Sequence, residues 1–157
     1  QQAIGIAVFG GMLAATILAA VEKMKEDDVT VDSKNEGWTD TEVLVKTGDV
    51  IHIRAKGKWQ MNDNRPPAGP EGWDSGSQYK LSHDARAGSL ILRIGVSDKA
   101  FPAYLGKPIT ATLPGRVMLK MNDKKPEDNN GSLSVQVVSC NPKALEAVLG
   151  LWDDVTK

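Results

Sequence analysis

Cysteine is almost absent: the chain of 157 residues has one, Cys140. An intrachain disulfide is therefore excluded, and with it the disulfide-stapled class of small domains. Cys140 reads as a small apolar residue closing a strand. Histidine is nearly as scarce, with 2 residues, His52 and His83. No Cys/His group has the spacing of a zinc site. Neither sign of charge is in surplus, since 19 basic side chains face 20 acidic ones. That balance gives no electrostatic case for nucleic acid, which is not expected as a partner. No Gly-rich loop leads from a strand into a helix, as phosphate binding requires; Gly10-Gly11 lies inside an apolar run. His83-Asp84 has no strand-turn-helix elbow to present a nucleophilic serine. Nor does any pattern set two carboxylates apart as acid and base. The expectation is a protein that is not an enzyme.

Three parts are present. Residues 3–21 (AIGIAVFGGMLAATILAAV) carry no charge, and 22–28 (EKMKEDD) form a charged neck. Residues 29–140 are β-patterned, and 141–157 read as a C-terminal amphipathic helix. The first run approaches the length a helix needs to span a bilayer, about 20 residues. Ala3, Ala7, Gly11, Ala15 and Ala19 recur every four positions and share one helix face. Small residues at that spacing let two helix backbones come close. The run thus predicts an apolar helix that self-associates with identical subunits or anchors in a membrane. With no basic residue before Ala3, a signal peptide fits it less well. Gln2–Thr16 is also similar to a transmembrane stretch of resistance-nodulation-division efflux permeases, without any of their functional parts.

Within 29–140, short apolar-polar alternations predict strands at Val29–Asp32, Glu42–Lys46, Val50–Ala55, Trp59–Met61, Ser89–Gly95, Ile109–Leu113, Val117–Met121 and Ser132–Val138. Lys46-Thr47-Gly48-Asp49 reads as a tight turn. Many short strands separated by turn signals indicate an antiparallel β-sandwich. Residues 62–83 form a long loop, a length that usually marks function. Asn141-Pro142 suits the start of a helix, and Leu145, Val148, Leu149, Trp152 and Val155 follow at helical spacing.

The stretch Arg116–Val138 carries the chemistry. Two alternating runs flank a loop holding Asn122, Asp123, Asp128, Asn129 and Asn130, ended by Gly131. Hard oxygen ligands at a strand-loop-strand corner can hold Ca²⁺ and present it to a sugar. A polar hairpin connection without metal explains the same residues.

The series Gly37-Trp38, Thr47-Gly48-Asp49-Val50-Ile51-His52-Ile53, Gly57-Lys58-Trp59, Gly69-Pro70-Glu71-Gly72, His83-Asp84-Ala85-Arg86-Ala87-Gly88-Ser89-Leu90, Arg93-Ile94-Gly95, Asn122-Asp123 and Asp128-Asn129-Asn130-Gly131-Ser132 resembles the PA-IL-like (LecA-like) family of bacterial lectins over residues 28–139. The resemblance implies a LecA-like, jelly-roll or galactose-binding-like β-sandwich. It implies calcium as cofactor, held by Asp123, Asp128 and Asn129 and completed by a backbone carbonyl near Met61 or Asn62. It also implies a carbohydrate or glycoconjugate partner, contacted by Asp123, Asp128 and Gln78. Lys124 beside them and Trp73 are further sugar-binding candidates by their chemistry: Trp73 or Tyr79 can stack on a pyranose face, and either serves equally as a loop anchor or subunit contact. Three departures stand out. The loop after Asp123 is shorter than in the galactose-binding member and carries Lys124 and Lys125, whose charges disfavour a cation unless they point outward. The long loop (WDSGSQY) keeps a Gln, Gln78, but lacks the family's sugar-binding His; His83 falls in the structural His-Asp-Ala run as a packed, hydrogen-bonding residue. The terminal helix is additional. Two functions follow as expectations: a calcium-assisted carbohydrate-binding module at the surface of a bacterium or outside it, or a structural subunit of a filament or membrane assembly that reuses the fold.

Overall fold

A computed structural model of the chain describes residues 28–156 except 63 and 75. The expected apolar helix with its Ala/Gly ladder, and all but the last residue of the neck, lie outside the described residues.

Among the described residues eight strands form two four-stranded sheets. In chain order they are β1 (Asp28–Asp32), β2 (Thr39–Val45), β3 (Val50–Gln60), β4 (Leu90–Ile94), β5 (Phe101–Pro102), β6 (Ile109–Thr110), β7 (Gly115–Met121) and β8 (Asn130–Cys140). One sheet runs β1-β8-β3-β6 and the other β2-β7-β4-β5, with antiparallel pairing throughout. Period-two alternation sends Leu133, Val135 and Val137 of β8 and Val117, Leu119 and Met121 of β7 inward, each at most 2% exposed. With Ile51, Trp59, Leu90 and Leu92 they make one core shared by both sheets. Burying side chains of this size contributes about 1.5–3 kcal/mol each, which is why register holds.

The sandwich expected from the sequence is present, with three corrections. Trp59–Met61 is not a separate strand: β3 continues through Gly57 to Gln60, paired with β8 along its whole length. Gly57 looks like a break in sequence, but at φ +109° it lets β3 pass close to the Ser132 carbonyl, where a Cβ would sit 3.1 Å away. Phe101–Pro102 is an edge strand on β4 that no alternation announces. Most consequential, β7 and β8 are not a hairpin. They belong to opposite sheets, so the Asn/Asp loop is a crossover at the end of the sandwich.

The 46–49 turn forms as expected, closed by the Asp49 N–H donating to the Lys46 carbonyl at 3.0 Å with Gly48 at φ +93°. Helix α1 (Pro142–Thr156) follows β8. Among the described residues no helix is long and apolar enough to cross a membrane.

Candidate functional site

The end of β3, the end of β7, and the crossover into β8 meet at one edge of the sandwich. The crossover starts with Asn122, which is fully buried and hydrogen-bonded through every side-chain valence. Its Oδ1 accepts from the Leu81 and Ser82 N–H groups, both at 2.8 Å. Its Nδ2 donates to the carbonyls of Ser82 (2.9 Å), Arg86 (3.0 Å) and Ala85 (3.3 Å). Asn122 therefore clamps the return of the long 62–83 loop, supplying partners to backbone that no strand satisfies. It is a structural anchor and not a ligand donor, a role the sequence reading missed.

Asp123 is 2% exposed, and its Oδ1 accepts from the Lys125 N–H at 2.9 Å. Desolvation raises its carboxyl above the usual 3.8; the Lys125 N–H and the Asn129 amide act against that rise, and the charges of Asp128 and Glu127 add to it. A short 3-10 turn, Pro126–Asp128, then carries the chain round, closed by the Asn129 N–H donating to the Pro126 carbonyl at 3.0 Å. Asn129 is fully buried, with Nδ2 donating to the Ser33 carbonyl at 3.0 Å. Its Oδ1 is buried and has no hydrogen-bond partner. Ser33 grips the same corner from the end of β1: its Oγ and its N–H both donate to the Gly131 carbonyl, at 2.7 and 3.1 Å.

Glycines make this close approach feasible. Gly131 has φ +86°, and a Cβ there would lie 2.8 Å from the Lys58 carbonyl oxygen and 3.0 Å from Trp59 Cα. Gly88 at φ +67° lies under the Trp73 ring, where a Cβ would meet Cζ3 at 2.3 Å.

A cavity of about 320 Å³ opens at this edge. It lies at the small end of ligand sites, roughly 300–1,000 Å³. Asp123, Lys125 and Asp128 of the crossover line it, with Met61 and Asn62 after β3, and with Arg65, Gly76, Ser77, Gln78 and Tyr79 of the long loop. Asp123, Asp128 and Gln78, named from sequence, thus share one cavity with Met61 and Asn62, the residues near which a carbonyl ligand is expected. Asn129 lies buried in the same crossover.

Trp73 and Lys124 do not line it. Trp73 instead anchors the long loop: its N–H donates to the Ala87 carbonyl at 2.9 Å and its Nε1–H to the Pro66 carbonyl at 3.1 Å. The aromatic wall is Tyr79. Lys124 is exposed, and its N–H ties back to the Tyr79 carbonyl at 2.6 Å. Lys125 is the lysine at the cavity, its Nζ lying 4.9 Å from the Tyr79 ring centroid. His83, expected to be packed, is exposed; the neighbouring Ser82 and Ala85 carry the loop's contacts to Asn122 instead.

The donor set fits a hard cation. Two carboxylates and, in the same crossover, an amide oxygen buried without a partner are oxygen ligands of the kind calcium takes. Among the described residues no three His, Cys, Asp or Glu side chains form a metal cluster, so Asn129 and backbone oxygens have to complete any shell.

Comparison with known proteins bears on the same region. The family described as "PA-IL-like protein" matches residues 27–141. A solved structure titled "EclA N-terminal domain; PllA-like lectin" is similar at 27% sequence identity and a TM-score of 0.56, the match covering 75% of this chain and 98% of that one. No curated protein sequence matches.

Proposed function

This chain belongs to the PA-IL-like protein family, and on that premise we propose that it is a non-enzymatic carbohydrate-binding module that works with calcium. The family and the lectin neighbour both support carbohydrate binding as the broad function. The calcium reading rests on one observation above others: the buried Asn129 Oδ1, without a hydrogen-bond partner, next to a crossover that brings Asp123 and Asp128 to one cavity. A buried acceptor left without a donor costs about 1–3 kcal/mol, and coordination to a cation would recover it.

Asp123 and Asp128 would supply charged ligands, Asn129 a neutral one, and the Met61–Asn62 backbone a carbonyl. Calcium would offer hydroxyl oxygens of a sugar the same hard coordination it takes from the protein. Gln78 would donate to or accept from a ring hydroxyl, and Tyr79 offers an apolar face with a polar handle. Trp73 would act indirectly, by holding the long loop.

The experiment is a calorimetric titration with calcium followed by a glycan array run with calcium and with chelator. Saturable calcium binding, and array signal that chelator removes, are expected. Array signal unaffected by chelator would remove calcium from the proposal; silence under both conditions would remove the sugar.

From the spacing of residues 3–21 alone, we also propose self-association through Ala3, Ala7, Gly11, Ala15 and Ala19, with the sandwich displayed outside the cell. Multivalent display would strengthen weak sugar binding. A silent array together with assembly that depends on this segment would favour the structural-subunit alternative.

A further inference from the structure

The cavity is not uniformly acidic. Asp123 and Asp128 line it, and so do Lys125 and Arg65. The two cations are held by different elements. Lys125 sits in the crossover, where its backbone N–H is committed to Asp123 Oδ1 at 2.9 Å. Its side chain leaves in another direction, so that Nζ lies 4.9 Å from the centroid of Tyr79. Among the described residues Lys125 forms no ion pair, unlike Arg116, whose guanidinium lies 2.8 Å from Asp40. Arg65 comes from the start of the long loop, with its guanidinium carbon 6.0 Å from the Trp73 ring centroid. Lys125 is thus placed against the face of Tyr79 at the cavity wall, an arrangement that fixes a long side chain without neutralising it.

Charge bookkeeping then selects a ligand class. A dication held by Asp123 and Asp128 balances those two carboxylates, and the ammonium of Lys125 is left facing the cavity. A neutral sugar has no group to answer that charge. A sugar ring carrying a carboxylate or sulfate does.

We propose that this cavity prefers anionic sugars, a hexuronic acid or a sulfated hexose, over neutral ones, with Lys125 as the specificity-determining contact to the anionic substituent. The inference rests on the carbohydrate reading above and narrows it. Lys125 acts on the ligand through a charge-assisted hydrogen bond, a stronger kind than one between neutral groups. Gln78 and Tyr79 are left to the ring itself.

The test is calorimetry on the full chain, in calcium buffer, with galactose, galacturonic acid and galactose 6-sulfate as probes, repeated for Lys125→Gln. Folding of the variant is checked by its melting temperature; Lys125 is exposed, so no large shift is expected. In the parent chain at least one anionic sugar should bind on the order of tenfold or more tighter than galactose, the scale expected of one charge-assisted hydrogen bond. That ratio should shrink toward one in Lys125→Gln and should fall as ionic strength rises. Which anionic probe binds tighter separates carboxylate from sulfate. Equal or tighter binding of galactose in the parent chain, or an unchanged ratio in Lys125→Gln, overturns the preference and leaves the carbohydrate reading standing. No binding of any of the three, in an array-silent protein, overturns both.

Discussion

Burial and ligation make opposite demands on Asp123. The buried carboxyl is harder to ionise than in the unfolded chain, first because of desolvation and then because Asp128 and Glu127 crowd it with like charge. A carboxyl whose folded value is raised contributes stability below the unfolded value of 3.8, and that contribution is lost as pH rises through the folded value. At neutral pH the ionised group is a burden on the metal-free fold. Asp123→Asn should therefore raise the melting temperature in chelator, since the amide oxygen can still accept from the Lys125 N–H. The same substitution should abolish any gain from added calcium. In the parent chain calcium affinity should weaken as pH falls toward the Asp123 titration, because proton and cation compete for one carboxylate. Melting curves at several pH values, with calcium and with chelator, check all three expectations. Asn122 makes the opposite case, a residue whose role is purely architectural. Asn122→Ala would strand backbone groups at Leu81, Ser82, Ala85 and Arg86 and should cost at least about 2 kcal/mol in urea denaturation, each buried orphan costing roughly 1–3 kcal/mol. From sequence both residues read as one Asn-Asp pair of hard ligands. Their division of labour depends on what packs against each, and that comes from a loop forty residues away.

Elements were legible where alternation was regular. Val117-Leu119-Met121 and Leu133-Val135-Val137 each mark a half-buried strand, and each is one. Alternation carries no information about which sheet a strand joins, so the crossover between β7 and β8 could not be told from a hairpin. Short edge strands such as Phe101–Pro102 rest on pairing alone and leave no pattern. β2 shows a further irregularity. Its register to β7 shifts between Asp40 and Leu44, and Glu42 adopts φ +63°. Asp40 Oδ1 accepts from the Glu42 N–H at 2.8 Å, and Thr41 Oγ1 donates to the Val117 carbonyl at 2.7 Å, so side chains hold the bulge. Glu42→Val should destabilise by about 1–2 kcal/mol, because a β-branched residue resists the left-handed region. Glu42→Gly should cost less than Glu42→Val, because glycine adopts positive φ freely. Equal denaturant midpoints for the two variants would contradict this assignment. At the functional end of the sheet, Gly131→Ala should cost about 1–3 kcal/mol, since the added Cβ meets backbone of β3 and not a movable side chain. Because Ser33 and Asn129 are tied to that corner, the same change should also weaken calcium binding, readable by titration.

At the scale of the molecule, two antiparallel sheets form a sandwich over one core and leave an open edge where loops of distant sequence meet. Part of the candidate site was legible: Asp123, Asp128 and Gln78 share the cavity with Met61 and Asn62. Trp73 and Lys124 do not line it, whereas Tyr79, the other aromatic that the sequence offered for stacking, does. Aromatic and cationic character is visible in sequence, but which neighbour fills the cavity depends on loop paths, and there Tyr79 and Lys125 take those positions. The small-residue spacing of residues 3–21 makes a separate prediction: Gly11→Leu should reduce the assembled fraction of the full chain in size-exclusion chromatography, while the chain from residue 28 onward stays monomeric. The measurement that bears most directly on the cavity as a calcium-dependent sugar site is the melting temperature and calorimetric response of the parent chain to calcium, set beside Asp123→Ala. One calcium per chain should bind, adding about 2.7 kcal/mol of stability at a hundredfold excess over Kd, and sugar heats should appear only in its presence. Asp123→Ala should show neither response. A parent chain that binds sugar in chelator, or whose melting temperature ignores calcium, would contradict it.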